Sequence, residues 1–210
     1  MSDEPKRRGR PRAYDPERAL TRARRVFWDE GYAASSLDAL GAAMAMNRPS
    51  LYGAFGDKEA LYLKTLEGYR DRSLEALRGA LDPARPLRAC LASVYAKSIE
   101  IYLAGEHGAR GCYLIGTATS ESVRQPAVRR ILRESLHDFE RAIADRLRLA
   151  VEKGELGRRA DVTALSRLAS AVMHSLAVRA RAGEQRSILE AIARSGVDMI
   201  CGPEKRGRER

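Results

Sequence analysis

The chain has 210 residues, 44% of them hydrophobic, enough to bury a core in one large domain or in a small domain joined to a larger one. Its 38 Lys and Arg against 28 Asp and Glu give a formal net charge of +10, which favours a polyanionic partner such as nucleic acid, although a solvated helix surface would produce the same count. Cys90, Cys112 and Cys201 are widely spaced with no CxxC or Cys/His pairing, which argues against a disulfide framework, a metal site or a cofactor and for a reducing cytoplasm, and no run reaches the roughly 20 apolar residues of a membrane span.

The punctuation is helical, and alternating β-branched runs and internal repeats are missing, so an all-α fold is predicted. After a polar start, Asp15 and Pro16 form an N-cap and first-turn pair for a helix carrying Leu20, Ala23 and Phe27 on one face and closed by Gly31. Ser35 and Asp38 have capping-box spacing before a short helix with Leu37, Leu40 and Met44. A turn at Ala45 and Met46 leads to Asn47, which can cap a third short helix with Leu51 and Phe55 inward. Gly56 and Asp57 end that helix and cap a long fourth one over 58–81, stopped by Asp82, Pro83 and Pro86. Further helices are predicted at 87–104, 110–121, 126–152, 162–182 and 186–201, separated by Gly105, Gly108, Pro126, Gly154, Gly157 and Gly183. The last two carry more apolar surface than one small core needs, so Leu165, Leu168, Val172, Leu176, Ile188 and Ile192 are expected to form a homodimer interface.

Residues 36–55 have the layout of a helix-turn-helix, two short helices about a tight turn with small or polar side chains on the outside of the second. Such a second helix enters the major groove while the first crosses the phosphate backbone. Short helix pairs also occur in all-α proteins that bind nothing. The arm Lys6-Arg7-Arg8-Gly9-Arg10-Pro11-Arg12 holds five positive charges and no negative one, so Arg7, Arg8, Arg10 and Arg12 suit a narrow minor groove as well as they suit a solubilising tail.

Both runs, Gly31 to Asp38 (GYAASSLD) and Arg48 to Leu61 (RPSLYGAFGDKEAL), resemble the DNA-binding signature of the tetracycline-repressor (TetR) family. The stretch Arg110 to Gly116 (RGCYLIG) is similar to the sixth-helix region of many members. The resemblance implies a basic arm over 1–12, a DNA-binding domain over 13–60, a helical ligand-binding and dimerisation domain over 61–203 joined by the long connector, and a charged tail over 204–210. It implies a dimeric repressor released from a palindromic double-stranded operator by a small hydrophobic effector. A DNA-binding regulator controlled by abundance or a protein partner is the alternative.

By the same resemblance Arg48, Pro49 and Ser50 lie where the family reads base edges, Tyr52 and Lys58 where it grips phosphates, and Ser36 and Asn47 open the two helices. The chemistry agrees, since Arg can meet guanine O6 and N7 bidentately and a tyrosine hydroxyl can donate to phosphate. Tyr52 could instead pack near Phe55. The chain departs from the family where Ala45 replaces a usual turn glycine, with strain of about 1 kcal/mol if φ is positive there, and where Gly53 replaces an aromatic or His.

The effector pocket is expected among Tyr95, Ile99, Tyr102, Cys112, Tyr113, Ile115, Phe139, Ile143 and Met173, each of which could equally be plain core. His107, His137 and His174 do not form a nucleophile and base pair with Cys112 by any motif, so catalysis is not expected; His137 could line the pocket and His174 a core or interface. Cys112 is expected to be buried as a small apolar residue, with redox sensing as the other reading.

Overall fold

The structure is a computed structural model in which residues 15–105 and 108–203 are described. These form α1 (Pro16–Ala34), α2 (Leu37–Met44), α3 (Arg48–Phe55), α4 (Lys58–Ala80), α5 (Leu87–Leu103), a π-helical turn (Leu114–Ala118), α6 (Thr119–Glu121), α7 (Pro126–Glu152), α8 (Val162–Arg181) and α9 (Arg186–Cys201), with no strand among the described residues. Helices α1 to α3 make a small head and α5 to α9 a larger body, and α4 packs on α1 at one side and on α7 and α5 at the other. One continuous core runs through both.

Helix starts follow from side-chain oxygens that satisfy N–H groups the helix cannot. Asp15 accepts from Glu17 and Arg18, Asn47 from Ser50, Asp57 from Ala60 and Asp161 from Ala164. At α2 the cap is one residue later than expected: Ser36 accepts from the Ala39 N–H at 3.0 Å, while Ser35 is buried and donates to the Tyr32 carbonyl. Asp38 is therefore in the first turn and not a capping-box partner. Gly31, at φ 81 and ψ 166, breaks α1 as expected, and a further turn to Ala34 follows the kink.

The helix expected over 110–121 is the main difference. Gly111 has φ 65, and the N–H groups of Arg110 and Gly111 both donate to the Tyr102 carbonyl, so the helical segment starts only at Tyr113, with the Cys112 carbonyl accepting from the Gly116 N–H. A Cβ at Gly111 would stand 2.6 Å from the Ala177 carbonyl oxygen, which ties this glycine to close contact with α8. Beyond it, Thr117 and Thr119 donate to the carbonyls four residues back, a side-chain competition that suits a widened π turn.

Between α7 and α8, buried Arg146 donates to the Glu155 carboxylate and to the Arg85 carbonyl, and Glu155 also accepts the Leu87 N–H at the start of α5. Head and body meet over aromatic rings. Phe27, Trp28 and Tyr32 of the α1 segment contact Tyr62 and Tyr69 of α4 and Tyr113 before the π turn, with centroids 4.8–6.3 Å apart.

Candidate nucleic-acid interface

The α2–α3 unit is tight because two backbone positions allow it. Ala45 adopts φ 55 and ψ 44, the left-handed conformation that the usual glycine would take without strain. The Met46 N–H then donates to the Gly41 carbonyl at 2.9 Å, and a Cβ on Gly41 would lie only 2.8 Å from the Met46 carbonyl oxygen. Gly41 is thus a second requirement of the turn, and no periodicity in the sequence marks it.

Leu51 and Phe55 anchor α3 in the core, and Arg48, Pro49, Ser50, Tyr52 and Gly53 face outward. Pro49 occupies the first turn, where its missing N–H leaves no gap. Tyr52 is 47% exposed, which leaves its side chain open to a partner even where part of it is covered. Gly53 has open space above it. Asn47 and Ser36 both spend a side-chain oxygen on capping, and each cap sits at the edge of the same exposed surface.

Two cations among the expected DNA contacts are also engaged by protein. Arg48 donates through Nε and Nη2 to the two carboxylate oxygens of Asp38 in α2, at 2.9 and 2.7 Å. The hydrogen bonds and charge of Arg48 hold the Asp38 carboxyl below its ordinary range, so the pair stays ionised at neutral pH. Lys58 lies half-buried with Nζ 4.6 Å from the Tyr32 ring centre, a cation–π contact that draws it against α1. Arg7, Arg8, Arg10 and Arg12 lie outside the described residues.

In the body a narrow cavity of about 80 Å³ opens between α4, α5, α7 and α8. Of the residues expected to line a pocket, Tyr102, Cys112, Phe139 and Met173 do so. The others are placed elsewhere. Tyr95 is buried with its hydroxyl on the Ala169 carbonyl, and Ile99 faces a groove between α5 and α9. Tyr113 packs on Trp28 and bonds Thr65, Ile115 borders a shallow cleft beside Ala177 and Arg181, and Ile143 is core.

Tyr69, Ser73 and Leu77 of α4 also line the cavity, and their i, i+4, i+8 spacing is the signal in the sequence that points to them. Burial raises the Cys112 thiol above its ordinary value and disfavours a reactive thiolate, an effect that the Tyr69 hydroxyl, 3.7 Å from the sulfur, opposes only in part. His137 is exposed on α7 and outside the cavity, His174 is half-buried on α8, and His107 lies outside the described residues.

At the expected dimer face, Leu176 must be corrected: it is fully buried inside the protomer and has no surface to offer a partner. Leu165, Leu168, Val172 and Ile192 are half-buried against the core, and Ile188 is 44% exposed. Val178 and Met199, 57% and 67% exposed, extend the apolar surface along α8 and α9.

Residues 19–65 match the family described as bacterial regulatory proteins, tetR family, and residues 87–195 match the tetracyclin repressor-like C-terminal domain. The chain belongs to the TetR family. It is a DNA-binding regulator of transcription and not an enzyme. Among curated proteins it is similar to the HTH-type transcriptional repressor ComR of Escherichia coli K12, 29% identical over 200 residues that span 95% of this chain and 94% of that one. It is also similar to the repressor BdcR of the same strain, 31% identical over 137 residues, 65% of this chain and 68% of that one. Among solved structures it resembles a cysteine mutant of the TetR-family regulator CifR complexed with 26bp double-strand operator DNA, with a TM-score of 0.76, 32% identity and coverage of 90% of this chain and 98% of that one.

Proposed function

We propose that the protein is a homodimeric repressor that reads a palindromic operator with α3. The observation that carries this is the outward face of α3: Arg48, Pro49, Ser50 and Tyr52 stand exposed on a short, capped helix whose inward Leu51 and Phe55 fix its orientation. The similarity to CifR in its operator complex and to the repressor ComR supports the same reading. Ser36, Asn47, Tyr52 and Lys58 contribute phosphate contacts around that face, Arg7, Arg8, Arg10 and Arg12 enter the minor groove, and the apolar strip of α8 and α9 pairs with its copy. The protein acts in the cytoplasm, and no helix among the described residues is long and apolar enough to cross a membrane.

Selection of bound sequences from random duplex DNA tests it. An inverted repeat with half-sites a helical turn or more apart is the expected product. A pool with no enriched sequence, or an asymmetric one, contradicts it.

A small apolar effector in the Tyr69–Tyr102–Phe139 cavity would move the head by way of α4. The cavity of about 80 Å³ falls short of the roughly 300–1,000 Å³ of drug-sized sites, which keeps a regulator without an inducer as the second reading, while the groove between α5 and α9, at about 410 Å³, falls within that range. A regulator without an inducer needs no larger space. Thermal stabilisation separates the two, since an effector at 100 times its Kd adds about 2.7 kcal/mol.

A further inference from the structure

We propose that Asp38 is a positioning residue for base reading: its carboxylate grips the Nε–Nη2 edge of the Arg48 guanidinium and leaves the adjoining Nη1–Nη2 edge as a fixed pair of donors for guanine. This rests on the reading of α3 as the recognition helix. The residues come from different helices, Asp38 from the first turn of α2 and Arg48 from the first residue of α3, and only the left-handed turn at Ala45 brings them together.

The geometry divides the guanidinium in two. Nε and one hydrogen of Nη2 are committed to Asp38. Of the three hydrogens that remain, one on Nη1 and the second on Nη2 point the same way and form the planar fork that matches O6 and N7 of guanine. Both side chains stay largely in solvent, 59% and 74% exposed, so a neighbouring duplex can reach them.

Charge makes the pairing useful. A lone arginine at the start of α3 would be drawn to phosphate at any sequence. With the ionised Asp38 against it the pair is neutral overall, so long-range attraction to the backbone is cancelled and the directional donor pair remains. Arg48 then contributes to discrimination and little to the salt dependence of binding.

The test uses the full-length protein, a duplex selected from random DNA, the same duplex with each half-site guanine replaced in turn, and a random duplex, titrated at several salt concentrations. Wild-type protein should discriminate about tenfold or more at one guanine per half-site. Asp38→Ala and Asp38→Asn should lose most of that preference and bind random duplex more tightly. Their slope of log K against log salt should steepen by about 0.9 per freed arginine. Arg48→Ala should lose the preference and, with the Asp38 carboxylate left unpaired, bind every duplex more weakly, whereas the double variant should lose the preference with a slope near that of the wild type.

If Arg48→Ala loses discrimination while both Asp38 variants keep it, Asp38 has no positioning role and the proposal fails alone. If Arg48→Ala keeps it, the assignment of Arg48 fails and the proposal with it. Sharper discrimination in Asp38→Ala would make Asp38 a restraint on Arg48 and would also overturn it. Melting curves of Asp38→Asn, which keeps the side-chain shape, separate these outcomes from misfolding.

Discussion

Trp28 of α1 donates its indole N–H to the carbonyl of Arg110, 3.2 Å away, while the Arg110 guanidinium stacks 4.0 Å from the centre of the same indole. This double contact ties the DNA-reading head to the loop before the π turn. Trp28 also meets Tyr69 edge-on, and Tyr69 lines the body cavity, so one ring separates head from cavity. Trp28→Phe removes the hydrogen bond but keeps part of the ring packing, and the Arg110 carbonyl stays satisfied because Arg181 still donates to it. A loss of about 1–2 kcal/mol in urea unfolding is expected. As Trp28 is the single tryptophan, its emission should shift when a small aromatic ligand enters the cavity.

Opposite signs are expected for two substitutions in the helix-turn-helix. Ala45→Gly should stabilise by about 0.5–1 kcal/mol, the relief of a left-handed Cβ less the entropy glycine loses on folding. Gly41→Ala places a Cβ 2.8 Å from the Met46 carbonyl oxygen and should destabilise by about 1–3 kcal/mol. Thermal melts of both variants check the pair.

Much of the head is readable in sequence because its determinants are local. Asp15, Asn47 and Asp57 each cap a helix whose first turn follows directly, and Gly56 has the positive φ that ends α3. Ser35 and Ser36 are chemically alike, and only the path of the chain after Gly31 decides which one caps α2. The Asp38–Arg48 pair spans ten positions across a turn and has no periodicity to reveal it. Helix α8 is apolar on more than one side, so spacing cannot tell the buried Leu176 from the exposed Val178. The cavity is likewise a property of how four helices meet, which explains why Tyr95 and Ile143 read like Tyr102 and Phe139.

Charging the α8–α9 surface should separate the subunits without unfolding them. Val178→Glu and Met199→Glu fall on exposed positions and should give a folded monomer by sedimentation, with operator binding weakened. Leu176→Glu would bury a charge in the protomer and should unfold it.

Stability should decline on both sides of neutral. Burial lowers the His174 pKa from its ordinary 6.5, an effect that Glu140 partly opposes, so its contribution is present above pH 6.5 and is lost as pH falls below that. Burial raises the Cys112 thiol above its ordinary 9.0, so its contribution is complete below pH 9 and is lost as pH rises beyond it. Urea midpoints across pH should show an acid limb flattened in His174→Gln and an alkaline limb reduced in Cys112→Ala.

The reading role of α3 is tested most directly by repeating the DNA selection with Ser50→Asn. Ser50 is exposed on α3, and asparagine in its place can bond adenine N6 and N7 bidentately. The selected sequence should keep its inverted repeat and spacing but gain adenine at one position in each half-site. An unchanged sequence, with binding as tight as that of the wild type, would mean that α3 does not face the bases.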